Sequence, residues 1–411
     1  MSRKPAKKLA LVLSGGGARG AYEAGIIHYL RTMLPPKVRM RGFDILCGSS
    51  VGAINSCFLA ATAHDLEHQG KQSFEIWKNL RADQIFRRDT RALLDFLTRG
   101  GKGMLLSMIR KGGSRGASHF PGFLDTRPFL PFLEKVIPWS EIPGNIDRGL
   151  IDALSISATN VFTGRFELFI QKRPEVQYTG EYTTHFTKIE PVHAKASAAI
   201  PIIFPTVMIG GIAYTDGGLR LNTPMSPAIQ LGADAIFMIG LHHRGHGEKI
   251  PSHGVRGQQP SMGQVLGRVM NSIFLDRTQY DMEQLERINR VIDWGEMLYG
   301  KKFLSDLNTM LQKKNIRGDI ANRGLKRLNV FRIRPSEDIG EMFAHIFQHH
   351  RDRNFTLFEK FMLRILDIDP TGGTDFLSYI GFLPEYLHKL LELGFEDARS
   401  NRQAIIEFLE G

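Results

Sequence analysis

The sequence predicts an α/β protein: a mostly parallel central sheet flanked by helices, with a helical segment at the C-terminal end. Three observations lead there. Short apolar runs alternate with helix-length stretches, the pattern of a parallel sheet whose crossover connections are helices. Two of these runs end in glycine-rich turns that open onto helices, Ser14–Gly20 and Gly48–Gly52. The chain of 411 residues, 42% hydrophobic and 23% charged, is also long enough to bury both faces of such a sheet.

Taken in order, Leu9–Leu13 predicts a strand over 8–14 and the stretch after it a helix over 18–33. Phe43–Cys47 predicts a strand over 43–48, followed by helices over 51–63 and 69–80. Further strands are expected at 151–159, 166–171, 212–216, 234–241 and near 329–334, where β-favouring runs lie between Gly, Pro and Asn breaks. Helices are expected at 191–199, 224–231 and 263–291, the last long and amphipathic. Two stretches interrupt the alternation: 98–123, rich in Gly, Ser, Arg and Lys around the apolar Met104–Ile109, and the Gly/His/Pro-rich linker 244–262. Residues 1–335 read as one main domain and 336–411 as a helical extension.

The chemistry concentrates in the turns. Gly48-Ser49-Ser50-Val51-Gly52 fits G-x-S-x-G between strand and helix, a bend that exposes a serine hydroxyl; Gly48 and Gly52 must be small because the elbow brings backbones together. Gly15-Gly16-Gly17-Ala18-Arg19-Gly20 presents backbone N–H groups at a helix start, where negative charge is favoured. Gly15, Gly17 and Gly20 also fit G-x-G-x-x-G, a dinucleotide fingerprint, but the acidic residue that fingerprint needs is missing from the end of the second strand. Asp44 precedes that strand instead, and no Gly-Lys-Ser/Thr phosphate loop is present. Downstream, Thr215-Asp216-Gly217-Gly218 ends another apolar run. Asp216 there is either an ordinary turn residue or a base at the same sheet edge as Ser50.

These three motifs in this order resemble the patatin-like phospholipase family over roughly residues 8 to 334. Ala196–Pro201 with Phe204-Pro205, and Ser157–Asn160 with Thr163-Gly164, are similar to further segments of that family, and Leu377–Tyr379 through Leu393–Ala398 to the tail of some bacterial members. The resemblance implies a patatin-like three-layer fold whose main domain is catalytic, and a Ser50–Asp216 dyad without histidine. It further implies an oxyanion hole from Gly15, Gly16, Gly17, Arg19 and Gly20, the motif residues Gly217 and Gly218, and acyl esters of phospholipids or lysophospholipids as substrates. Two rival readings stay open: a non-catalytic anion- or nucleotide-binding module on the same sheet, and a Ser–His–Asp esterase drawing on one of the 14 histidines, with His242 and His243 in a compatible order.

No cofactor is expected. The spacings His242/His243/His246 and His345/His349/His350 lack the accompanying pattern of a metal site. Cys47 and Cys57 are expected as buried thiols of a reducing compartment. The basic N-terminus and Leu9–Leu13 mimic a secretory leader, but the apolar stretch is short and runs into the glycine loop, so a cytoplasmic protein, peripheral on the membrane, is expected. The net charge of +11 points to anionic partners, and without a nucleic-acid-binding signature an anionic lipid surface ranks above nucleic acid. Within 98–123 the segment between Thr98 and Phe123 holds basic but no acidic residues, and it is expected to act as a basic flap on such a surface. Replacing Arg110, Lys111 and Arg115 with glutamine is expected to weaken binding to anionic vesicles at low salt, each charge contributing about 1 kcal/mol. Vesicle co-sedimentation checks this; equal binding by variant and parent would refute the flap.

Overall fold

The structure is a computed structural model that describes residues 7–88, 122–243, 262–313, 326–350 and 374–411. The expected flap at 98–123 and linker at 244–262 lie outside the described residues except for their last positions. Among the described residues nine strands form a single sheet: β1 (Leu9–Leu13), β2 (Ile45–Ser49), β3 (Ala153–Asn160), β4 (Phe166–Lys172), β5 (Thr183–Phe186), β6 (Val207–Ile209), β7 (Ile212–Asp216), β8 (Ala235–Ile239) and β9 (Asn329–Ile333). The main path runs β5-β4-β3-β2-β1-β8-β9, with β6 and β7 branching from β3. From β9 across to β3 every pairing is parallel; β4 runs antiparallel to β3, and β5 runs parallel to β4.

β1, β2, β3 and β8 are buried at every position because helices cover both faces. Alternation divides their side chains: Leu9, Leu11 and Leu13 join the larger core on one face, Ala10 and Val12 the smaller core on the other. The helices that matter for the site are α1 (Gly20–Thr32), α2 (Val51–Ala61), α3 (Leu66–Asn79), α4 (Phe129–Val136), α5 (Pro191–Ser197) and α6 (Met225–Gln230). α7 (Met262–Tyr299) runs eight residues beyond the expected end at 291. After β9 come α8 (Ile339–His350), α9 (Thr374–Ile380), α10 (Pro384–Ser400) and α11 (Arg402–Glu410).

These C-terminal helices share the larger core with the sheet. Tyr386, Leu387, Leu390 and Leu391 of α10 are fully buried there, and Tyr22 of α1 donates to Asp397 Oδ2 at 2.8 Å. Burial of four such side chains is worth about 6–12 kcal/mol, comparable to the net stability of a whole domain. Detaching α10 would therefore expose a face that the sheet cannot cover otherwise.

Two departures from the sequence reading have simple causes. The run Met208–Tyr214 is a hairpin, β6 and β7 joined at Gly210-Gly211, whose φ values of 56° and 83° suit the tight turn that matches strand twist. β5, with three of its four residues polar, carries no hydrophobic pattern at all and forms through backbone pairing to β4.

Candidate active site

The register of the sheet brings Ser50 and Asp216 together. β2 ends at Ser49, which pairs with Ser157 of β3. β7 approaches from the opposite direction and pairs Asp216 with Ala158, the next residue along β3. The two strands thus meet end to end beside β3, their C-terminal ends facing each other. Ser50 Oγ donates to Asp216 Oδ2 at 2.6 Å, and the second carboxylate oxygen accepts the Gly218 N–H at 2.7 Å.

The turn at Ser50 is strained. Its φ of 53° with ψ of −125° is a conformation L residues rarely hold, costing on the order of 1–3 kcal/mol. It persists because the surroundings leave no alternative: a Cβ on Gly48 would lie 2.2 Å from the Gly52 carbonyl oxygen, and one on Gly52 would lie 2.4 Å from that of Leu13. The Ser50 N–H is fixed in turn by Ser197 Oγ at 3.0 Å. α2 starts immediately after, so its N-terminal dipole lies at the serine.

The glycine loop lies against this turn, with a Cβ on Gly15 only 2.9 Å from Ser50 Cβ. Ser14 Oγ and Thr223 Oγ1 are 2.8 Å apart, and the Gly15 N–H donates to the Asn222 carbonyl at 3.1 Å. Gly15 is therefore already committed and does not offer its N–H to a ligand, contrary to the sequence expectation. The N–H groups of Arg19 and Gly20 are likewise occupied, by the carbonyls of Gly16 and Gly17. Those of Gly16, Gly17 and Ala18 have no acceptor among the described residues. Gly17 takes φ of 57°, and its backbone faces the same cavity as Ser50.

Electrostatically the site holds one poised acid. Burial pushes the Asp216 carboxyl up to about 7, against the pull of its hydrogen bonds from Ser50 and Gly218, which favour the charged form. A second buried carboxyl stands behind the loop on α1: Glu23, raised well above the usual range by burial, accepts from Asn55 Nδ2 at 2.7 Å and so ties α1 to α2. No histidine enters the hydrogen bonds of Ser50 or Asp216 among the described residues; His243 turns to the Pro335 carbonyl. Asp44, which a dinucleotide site would need near the loop, sits at the far end of β2, accepting the Leu9 N–H and pairing with Arg41. Cys47 and Cys57 are buried free thiols, and burial raises both.

A narrow cavity of about 60 Å³ extends from Ser50 between α2, α3 and α4. Its walls are almost wholly apolar, among them Ile54, Phe58, Trp77, Phe129, Leu133, Val136, Ile200 and Phe382. A buried serine hydrogen-bonded to a carboxylate, beside free backbone N–H groups and opening onto an apolar cavity, can bind an acyl chain and attack its carbonyl.

Residues 11–229, just over half of the chain, match the sequence model of the patatin-like phospholipase family. The chain belongs to that family. A cGAMP-activated phospholipase of Pseudomonas aeruginosa is 29% identical over 220 residues, which is 52% of this chain and 53% of that protein, so the match spans about half the relative's length. Among solved structures, VipD of Legionella pneumophila aligns with 94% of this chain and 67% of its own at 16% identity and a TM-score of 0.31. A chain of the ExoU–SpcU complex of Pseudomonas aeruginosa does so with 92% and 75% at 14% identity and a TM-score of 0.29. At such scores neither bears on the site. For this patatin-like chain, two contributors to the site carried no assigned role in the sequence: Ser197 and Asn222. Ser197 lies in a segment that resembles the family, while Asn222 acts through its backbone carbonyl, which no side-chain pattern reveals.

Proposed function

We propose that this protein is a serine-dependent lipid acyl hydrolase that cleaves acyl esters of phospholipids or lysophospholipids. The observation that carries the reading is the 2.6 Å hydrogen bond from Ser50 Oγ to Asp216 Oδ2 at a strained elbow. In this reading Ser50 Oγ attacks the ester carbonyl carbon while its proton passes to the Asp216 carboxylate. The carbonyl oxygen, now an oxyanion, is held by the N–H groups of Gly16 and Gly17, each such donor contributing about 2.7–4 kcal/mol to barrier lowering. Collapse breaks the ester C–O bond, and the leaving alkoxide takes the proton from Asp216. Water then repeats the cycle on the acyl-serine, and a free fatty acid departs.

Membership of a phospholipase family and the apolar walls of the cavity support a lipid acyl chain as the bound group. A nucleotide-binding module would have no use for a tunnel so poor in polar groups beside the loop, and a Ser–His–Asp site would need a histidine beside Ser50. The net charge of +11 supports an anionic interface as the place of action; among the described residues no helix is long and apolar enough to cross a membrane.

The test is product analysis by mass spectrometry on a panel of phospholipids and lysophospholipids, with and without cGAMP because the curated relative carries that activator in its name. Release of free fatty acid is expected, with the matching lyso-lipid from a phospholipid or the deacylated glycerophospho compound from a lysophospholipid; an intact panel under both conditions would contradict the reading. Cavity shape gives a further expectation. Val136→Phe narrows the tunnel from a partly exposed wall, so kcat/KM for a long-chain ester relative to a butyryl ester is expected to fall roughly 10-fold or more. An unchanged ratio would place the acyl chain elsewhere.

A further inference from the structure

The segment Ser378–Phe382, at the end of α9 and beyond the residues matched by the family model, lies directly on the glycine loop. Arg19 is 4% exposed, and its guanidinium points into the C-terminal helices: Nε and Nη2 donate to Ser378 Oγ at 3.0 and 2.6 Å, and Cζ lies 3.9 Å from the centre of the Tyr379 ring. A Cβ on Gly17 would lie 2.0 Å from the Tyr379 carbonyl oxygen, so loop and segment touch backbone to backbone. The Tyr386 hydroxyl, donating to the Ile339 carbonyl at 3.2 Å, is within hydrogen-bonding reach of both Ser378 and Arg19.

Packing alone would account for a buried contact, but the loop geometry gives this one a consequence. The Arg19 N–H donates to the Gly16 carbonyl at 3.1 Å. In a trans peptide the C=O of Gly16 and the N–H of Gly17 point in opposite directions. Fixing Arg19 therefore fixes the plane of the Gly16–Gly17 peptide, and with it the direction of a donor left free for an oxyanion.

We propose that Ser378 and Tyr379 are positioning residues for the oxyanion donors, clamping Arg19 and through it the Gly17 N–H. The proposal rests on Ser50 being the nucleophile. Neither residue touches the substrate; both act on the angle of a donor that matters only once charge develops on the carbonyl oxygen. Their loss therefore lowers kcat and leaves ground-state binding in place.

The test is steady-state hydrolysis of a soluble butyryl ester by full-length parent, Ser378→Ala, Ser378→Thr, Tyr379→Leu and Ser50→Ala. Rates are normalised to the fraction of chain that exhaustive fluorophosphonate treatment labels at Ser50, so that misfolded protein does not count; if Ser378→Ala folds too poorly to measure, Tyr379→Leu carries the test. Ser378→Ala and Tyr379→Leu are expected to lose roughly 10- to 100-fold in kcat with KM within about twofold of the parent. Ser378→Thr, which keeps the hydroxyl, is expected to recover most of it. Parental kcat in both Ser378→Ala and Tyr379→Leu, a loss confined to KM, or no recovery in Ser378→Thr would overturn the clamp. Failure of the parent to label at Ser50, or activity surviving in Ser50→Ala, would instead overturn the nucleophile assignment beneath it.

Discussion

Ser50→Ala is expected to lose ester hydrolysis by roughly 10⁴-fold or more, to the floor of the assay, because in the proposed mechanism Ser50 Oγ is the group that forms the acyl intermediate. The variant is expected to fold. Alanine is smaller than serine and faces the same backbone conformation, and the glycines that make room for the turn are untouched. What the substitution does change is Asp216: it loses the Ser50 hydrogen bond, one of two that favour its charged form, so its carboxyl holds its proton to still higher pH. Activity against a short-chain ester, read beside a melting curve, checks the expectation. Substantial turnover in the folded variant would remove Ser50 from the mechanism.

Asp216→Asn is expected to cost roughly 10³-fold or more in kcat and, at alkaline pH, to stabilise the protein. The amide is nearly isosteric but takes no proton from Ser50. For the parent, kcat is expected to rise as pH increases through about 7, where Asp216 ionises. The stability effect has the opposite sign. With the folded value raised from 3.8 to about 7, the folded state keeps a proton that the unfolded state has already lost across that interval. The resulting stability is fully present below pH 3.8 and is lost as pH rises through 7, where a bare carboxylate is left at a position with 0% exposure. The neutral amide escapes that penalty, a few kcal/mol in all, so the gain in Tm of Asp216→Asn over the parent is expected to be largest above pH 7 and to vanish toward pH 4. Alanine at His242 or His243 is expected to leave most of the activity. A His variant as damaging as Asp216→Asn, with folding verified, would restore a histidine-based mechanism.

Much of this site could be read in the chain because its motifs are local. Gly48 and Gly52 mark an elbow by their small size, and the apolar runs before Ser14 and Gly48 mark buried parallel strands, since strands covered on both faces need hydrophobic residues throughout. What the chain could not disclose were relations between distant segments. Nothing in Ile212–Asp216 says that it returns antiparallel and ends beside β2; the pairing of Asp216 with Ala158 decides that. The commitment of the Gly15 N–H to the Asn222 carbonyl is a backbone contact across some two hundred residues and leaves no trace in composition. Arg19 was legible as part of the loop, yet its partners Ser378 and Tyr379 sit near the far end of the chain. β5 escapes a sequence reading for a different reason: its polar residues, Thr183, Thr184 and His185, are held by ladder hydrogen bonds to β4, which any sequence can make.

The proposed mechanism turns on one atom, Ser50 Oγ. The decisive measurement is intact-mass and peptide mapping of the full-length parent after treatment with a fluorophosphonate, followed against loss of esterase activity. A single adduct on the peptide carrying Gly48–Gly52, located to Ser50 and growing in step with inactivation, is the predicted result. Complete inactivation with the adduct on any other residue, or full activity retained while Ser50 is stoichiometrically labelled, would contradict it.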